Sequence, residues 1–228
     1  MSDARFAEMI SKIAHELRSP LTSVKGFSAT LLSRWDRFSD EQRYQLVETI
    51  HADAERMARI VSEVLDLARI ESNRLELHKS EVTLVHLVER AVEHVALLPG
   101  SDRVVSTVPE DLVAHADPER LMHVLSNLIE NAVKFSDDGP ITISGEVSGA
   151  CAIVEVADRG VGIPADLIGD IFSGPGPRSG KATPLGTGLG LYLSKRVMEL
   201  HDGDITVEST DGEGSVFRMS VPLHGDDV

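Results

Sequence analysis

The sequence predicts an α+β chain: an antiparallel helical hairpin that pairs into a dimeric four-helix bundle, followed by an α/β sandwich. Three observations predict it. Residues 6–31 and 47–68 carry apolar side chains at alternating steps of three and four. A short break, SRWDRFSD, separates those two stretches. From about residue 78 the texture changes to short alternating segments interspersed with helical ones. The expected domains are therefore 1–77 and 78–228, with ARIESNRLELH near residues 68–78 as hinge or linker.

The first stripe is Phe6, Ile10, Ile13, Leu17, Pro20, Val24, Phe27 and Leu31; the second is Val47, Ile50, Ala54, Met57, Val61, Val64 and Ala68. Such heptad spacing marks long helices that pack along a seam. Ser39 and Gln42 in SDEQ form a capping box that opens the second helix. One hairpin buries its stripe poorly, which favours two hairpins joining as a four-helix homodimer; the alternative is an intramolecular stalk docked on the second domain.

In the second half, VTLVHLVERAVEHVALL reads as a helix with Thr83 as a possible cap. VVSTV and DLVAHA read as strands around a turn. Asp117-Pro118-Glu119 starts a helix that runs to about Phe135: Asp caps it, Pro takes the first helical position and an acid lies in the first turn. ITISGEV and AIVEVAD alternate as strands, LYLSKRVMELH is helical, and ITVES and GSVFRMSVP are closing strands. Strands with interspersed helices predict a sandwich whose sheet is covered on one face.

Composition excludes several classes. The formal net charge of −15 opposes non-specific attraction to nucleic acid or anionic membrane, although a local basic patch escapes that average. No run approaches the ~20 apolar residues a membrane span requires, and residues 1–20 are not a signal peptide. A single cysteine, Cys151, excludes an intramolecular disulfide and fits a reducing compartment. It sits in an apolar alternating run, so it reads as a buried small hydrophobe ahead of a reactive thiol.

Four places carry chemistry. His15 lies about 200° around the helix from both Ile13 and Leu17, and so points away from the apolar seam. Alone it would read as a solvated surface histidine. Its neighbours change that: Glu16 and Arg18 adjoin it, and Pro20 interrupts the helical hydrogen bonding at about 3 kcal/mol if uncompensated. A neutral imidazole is a nucleophile at physiological pH. Asn127, Asn131 and Lys134 fall at i, i+4 and i+7 on one face of a helix, beside the core stripe Leu121, Leu125, Leu128 and Ala132. Read alone, that face is more often just a solvated strip. Asp158 ends a strand and enters Gly160-Val161-Gly162, where the carboxylate can accept a bond from an exocyclic amine; a plain glycine turn is the alternative. GTGLGL, with Gly186, Thr187, Gly188, Leu189 and Gly190, opens a helix whose free N–H groups suit anionic phosphate. It lacks the strand–glycine–helix setting of a dinucleotide fold. Between Phe172 and Gly186 the composition suits a mobile lid, with Arg178 and Lys181 as its charges, either phosphate contacts or solvated loop cations.

In this order the boxes AHELRSPLT, NLIENAVKF, DRGVGIP, IFSGPG and GTGLGL resemble the catalytic core of a two-component sensor histidine kinase over nearly the whole chain. The resemblance implies a Bergerat-type ATP-binding sandwich and makes His15 the phosphoacceptor, with Glu16 accepting the proton of its other ring nitrogen. Ser19 stands where the family's phosphatase reaction uses Thr or Asn, a departure that leaves that activity open. By the same resemblance Asn131 holds Mg²⁺ with Asn127 near it, Lys134 reaches phosphate, and Asp158 reads the adenine amine with Gly160 and Gly162 shaping that wall. Phe172 belongs to the lid, whose usual second Phe and following Arg are missing here. In related gyrase-like hydrolases a Glu occupies the place of Asn127 and activates water; an amide cannot act as that base, so the substitution favours phosphoryl transfer. His201, in HDGDITVES, matches a closing segment and reads as structural. The implied partners are a second copy and a response-regulator receiver domain, and the implied location is cytoplasmic. Helical pattern begins almost at Met1, which suggests a segment of a longer sensor. The rival readings are a nucleotide-binding scaffold with a dead phosphoacceptor and a gyrase-like ATPase or serine kinase.

Overall fold

A computed structural model describes residues 3–136, 138–174 and 188–224, with backbone alone at 3–8 and 12. Phe6 therefore lies outside the described side chains. The chain divides into two compact units, one built on Met1–Leu75 and the other on Glu76–Gly174 and Gly190–Val228.

The first unit is a hairpin of α1 (Asp3–Arg34) and α2 (Asp40–Glu71), joined by a 3-10 turn at Trp35–Arg37. The capping box forms: Gln42 N–H donates to Ser39 Oγ at 3.2 Å, and Ser39 N–H donates to Gln42 Oε1 at 3.0 Å. Arg43 closes the turn, donating from Nη2 to the Trp35 carbonyl at 2.9 Å with its guanidinium 4.7 Å from the Trp35 ring. Helix α1 runs unbroken through Pro20, which is buried in the seam. The expected stripes need correction by one position. On α1, Met9 is buried and Ile10 is exposed. On α2 the buried residues are Ile60, Leu67 and Ile70, with Ile50, Met57 and Val64 half-buried, whereas Val47, Ala54, Val61 and Ala68 face solvent. Two adjacent heptad rows had merged into one stripe; a single hairpin covers only one of them. Helix α2 also continues to Glu71, through the first residues of the expected linker.

The second unit begins with a strand the sequence reading missed. Ser80–Thr83 (β1) pairs antiparallel with Val113–Ala116 (β3), so the predicted helix starts only at Leu84 (α3, Leu84–Val95). Thr83 occupies the cap position without making a side-chain cap bond. Val104–Thr107 (β2) does not form a hairpin with β3; it pairs parallel with Ile141–Ser148 (β4). The helix Pro118–Phe135 (α4) connects β3 to β4. Strand Cys151–Asp158 (β5), the short helix Ala165–Ile168 (α5), helix Leu189–Leu200 (α6) and strands Asp204–Thr210 (β6) and Gly214–Pro222 (β7) complete the unit. The five-stranded sheet has the order β2-β4-β5-β7-β6.

One sheet face is apolar. Ile143, Val154, Val156, Phe217, Met219 and Ile205 are buried on it, with the apolar stripes of α3, α4 and α6 supplying the rest of the core. Each fully buried Leu on α4 contributes roughly 1.5–3 kcal/mol, so this helix is the fixed platform of the unit. On the other face Arg218 bridges Glu155, at 2.7 Å, and Glu208. That polarity is what a sheet covered on one side requires.

Candidate functional site

In the hairpin, His15 is exposed on α1, and Arg18, Ser19 and Thr22 line the same open groove along that helix. Glu16 is turned a further 100° or so around the helix, toward the seam. Its Oε2 accepts from Arg56 Nη2 of α2 at 2.8 Å, and the two side chains are 21% and 34% exposed. No sequence motif pointed to Arg56; the contact spans forty residues between antiparallel helices, beyond the reach of i,i+4 reasoning.

In the second unit the predicted helix face is assembled on α4. Asn127 and Asn131 are half-buried. The Asn127 carboxamide donates from Nδ2 to Ser194 Oγ of α6 at 3.0 Å. A Cβ at Gly190 would run into Asn127 Oδ1 and lie 3.0 Å from its Cγ, so only glycine fits where α6 begins. The sequence reading missed Ser194, although it stands at i+4 from Gly190 and so on the same helical face. Lys134 is exposed, and its ammonium is bonded to Glu130 at 2.6 Å. Glu130, one turn earlier on α4, is thus the residue that holds Lys134 in place.

Asp158 is half-buried at the end of β5. Burial pushes its carboxyl above the usual 3.8, opposed by N–H donors from Gly160 and Ser215. The Gly160 N–H bond to Oδ1 is 2.7 Å. The following loop is wedged between two elements: Val161 N–H donates to the Phe135 carbonyl at 3.0 Å, and the Val161 carbonyl accepts from Gly212 at 2.8 Å. Gly162 takes a φ of +65° with the Thr210 carbonyl against its Cα, a place closed to any side chain. Phe172 is half-buried edge-on to Phe217 at 6.5 Å, with the Lys195 ammonium 5.5 Å from its ring. Gly188 adopts a φ of +69° immediately before α6. Gly186, Thr187, Arg178 and Lys181 lie outside the described residues.

At the far end of α4 the cap is more elaborate than the sequence indicated. Asp117 Oδ1 accepts from Glu119 and Arg120 N–H at 3.0 and 3.1 Å, and Oδ2 accepts from His78 N–H at 2.9 Å. Burial alone would raise its carboxyl, but the N–H groups of His78, Arg120 and Glu119 and the nearby His201 hold it below 3.8. His201 is fully buried. Its Nδ1 donates to the Val197 carbonyl at 2.8 Å and its Nε2 accepts from Asp117 N–H at 2.9 Å. Burial lowers the affinity of this ring for a second proton below the usual 6.5. The structural role read for His201 matches this setting.

Among the described residues, no group of three or more His, Cys, Asp or Glu side chains could hold a metal. The amide oxygens on α4 are neutral hard donors, suited to sharing a magnesium ion with phosphates rather than caging one. At the start of α6 the missing side chain of Gly190 lets the Asn127 amide lie against the helix backbone.

Residues 7–73 match the His Kinase A (phospho-acceptor) domain, and residues 116–225 match the histidine kinase-, DNA gyrase B- and HSP90-like ATPase family. A phosphoacceptor hairpin and an ATPase-type sandwich in one chain define a class, the protein-histidine kinases. The chain belongs to the sensor histidine kinase family and carries its catalytic core. It is 34% identical over 231 residues to the circadian input-output histidine kinase CikA of Synechococcus elongatus, covering 97% of this chain and 30% of that protein. Full-length ShkA in complex with AMPPNP has a TM-score of 0.65 at 25% identity, over 97% of this chain and 47% of that one. The histidine kinase ThkA in complex with the response regulator protein TrrA has a TM-score of 0.67 at 25% identity, over 99% of this chain and 64% of that one. The chain spans less than half the length of curated relatives such as CikA. No described helix is long and apolar enough to cross a membrane.

Proposed function

We propose that this chain phosphorylates itself on His15 with ATP and passes the phosphoryl group to an aspartate of a response-regulator receiver domain. The observation that carries the reading is an exposed His15 on the phosphoacceptor hairpin of a chain whose second domain belongs to an ATPase family. The working domains are residues 1–77 and 78–228. Asp158 accepts the adenine amine against Gly160 and Gly162, and Phe172 flanks the nucleotide. Lys134 exchanges Glu130 for phosphate, while the glycine-rich segment Gly186–Gly190, with Thr187 and Leu189, leads into the start of α6 and meets the phosphates. Asn131 and Asn127 supply amide oxygens to Mg²⁺, which neutralises phosphate charge. ShkA bound to AMPPNP supports this use of the pocket.

Motion about the segment that follows α2 brings the γ-phosphorus to His15. One ring nitrogen forms the N–P bond as the bond from phosphorus to the bridging oxygen breaks and ADP leaves. The proton on the other ring nitrogen passes to Glu16. The positioned amide of Asn127 cannot deprotonate water, so the nucleotide is kept for the imidazole. In the second transfer the N–P bond breaks as an aspartate oxygen of the receiver bonds to phosphorus, and the ring regains its proton. The complex of ThkA with TrrA supports a receiver docking beside His15. Ser19, on the His15 face, is the candidate to position water for hydrolysis of the regulator's aspartyl phosphate, an activity that the departure from Thr or Asn leaves open. Two hairpins associate through the rows left exposed in one, including Val47, Ala54, Val61 and Ala68. The location that supplies ATP and a regulator is the cytoplasm.

Incubation with γ-labelled ATP and Mg²⁺ tests the reading. The expected product is an acid-labile, base-stable label on the protein that His15→Gln abolishes. Bound nucleotide without label would instead mark a scaffold, and rapid free phosphate without label a gyrase-like ATPase.

A further inference from the structure

Arg56 lies on the helix opposite the phosphoacceptor and belongs to no motif, yet it is bonded to the residue next to His15. Its Nη2 lies 2.8 Å from Glu16 Oε2, and both side chains are mostly covered by the hairpin. Residues 15 and 16 diverge by about 100° around α1, and the Arg56 bond holds the Glu16 carboxylate on the α2 side of that divergence. His15 meanwhile faces solvent. In this arrangement the carboxylate is engaged by Arg56 of α2.

We infer that Arg56 is a positioning residue for the reaction at His15: it holds Glu16 in reserve, and phosphoryl transfer requires the carboxylate to leave that bond and turn to the imidazole. The inference rests on the reading of Glu16 as proton acceptor. It makes the Arg56–Glu16 pair a restraint on the rate that acts within the hairpin, without touching the nucleotide. Arg56 makes one bond to the carboxylate, and Lys keeps a positive charge able to pair with it, so Lys at this position loosens the restraint only in part. The pair is partly solvated, so releasing it should change the rate modestly.

The test uses the whole chain and compares wild type, Arg56→Met, Arg56→Lys, Glu16→Gln and the Arg56→Met/Glu16→Gln pair. Methionine keeps the stem that packs along the seam and removes the charge. Initial autophosphorylation rates are measured across ATP concentrations, with melting curves to verify each fold. Arg56→Met should raise the saturating rate by roughly two- to five-fold with an unchanged KM for ATP. Arg56→Lys should fall between it and wild type. In the Glu16→Gln background the Arg56→Met change should have no effect, because the restrained group is gone. An Arg56→Met rate equal to or below wild type in a folded protein overturns the inference, as does an equal gain in the Glu16→Gln background. Wild type that takes no label overturns the proposed function together with this inference, whereas a labelled wild type with an unresponsive Arg56 series overturns this inference alone.

Discussion

Gly190→Ala offers the sharpest probe of the proposed nucleotide pocket, because its effect follows from one contact. The added methyl would collide with Asn127 Oδ1, at 3.0 Å from Cγ and 3.2 Å from Nδ2. Helix α6 cannot move aside freely, since Met198 and Leu193 are buried in the core behind it. The Asn127 carboxamide must therefore rotate and release Ser194, its acceptor at 3.0 Å. Overpacking costs about 1–3 kcal/mol and the lost neutral hydrogen bond about 0.5–1.5 kcal/mol, which together should lower the melting temperature by several degrees. A carboxamide turned away from a charged ligand loses about 1.5–3 kcal/mol, so the Kd for Mg²⁺-AMPPNP should rise roughly 10- to 100-fold. Calorimetric titration measures the second effect and thermal melting the first. Asn127→Ala in the Gly190→Ala background should separate them: the clash disappears and stability recovers, while affinity stays low. A Gly190→Ala protein that binds AMPPNP within about threefold of wild type would falsify the placement of Asn127 at the phosphates.

Two other outcomes follow from charge states in the same domain. Asp158→Asn replaces a carboxylate by a group whose amine faces the adenine amine, and should weaken AMPPNP binding about 10- to 100-fold without lowering the melting temperature, since the buried carboxyl is itself costly to ionise; an unchanged Kd would remove Asp158 from the adenine wall. The buried neutral His201 makes stability pH-dependent with a defined sign. Its folded-state proton affinity is depressed, so its contribution is complete above 6.5 and is lost as pH falls from there toward the lower folded value. Melting temperature measured from pH 7.5 downward should decline through that window in wild type and decline less in His201→Gln. Asp117, also depressed, adds a further loss only below 3.8. Parallel curves for the two proteins would show that His201 is not what titrates.

What was legible in the sequence was whatever is encoded within a few residues. The capping box at Ser39, the Asp117-Pro118 helix start and the i, i+4, i+7 face of α4 all appear as expected, because each depends on local spacing. Strand β1 was hidden because Ser80–Thr83 is too short for alternation to register, and its partner lies thirty residues away. The parallel pairing of β2 with β4 was hidden for the same reason: two short apolar runs near each other in sequence resemble a hairpin. On the helices, a 3.5-residue repeat and its neighbour one position along differ by a single turn angle, so the row of Val47 and Val61 blended with that of Ile60 and Leu67. Arg56, Ser194 and Glu130 carry no motif; each matters through a partner side chain that only the folded arrangement selects.

Helices α4 and α6 are joined by polar side chains at two places. Asp117 at the start of α4 is bonded to His201 just past the end of α6, and Asn127 further along α4 is bonded to Ser194 near the start of α6. Ten residues of α4 separate the first pair from the second, about 15 Å of helix, and seven residues of chain between 194 and 201 cover about 10 Å. The two helices therefore run in opposite senses and are tied at two separate levels, which fixes both their spacing and their rotation. Gly190 then brings the start of α6 against the Asn127 amide with no side chain between them. If nucleotide binds here as proposed, polar groups fixed in this way need little further ordering. The same ties reach the incoming chain, since His78 bonds to Asp117 and Lys79 pairs with Asp202 at 2.8 Å. The chain entering this unit is thus anchored at the start of α4 and just past the end of α6 together.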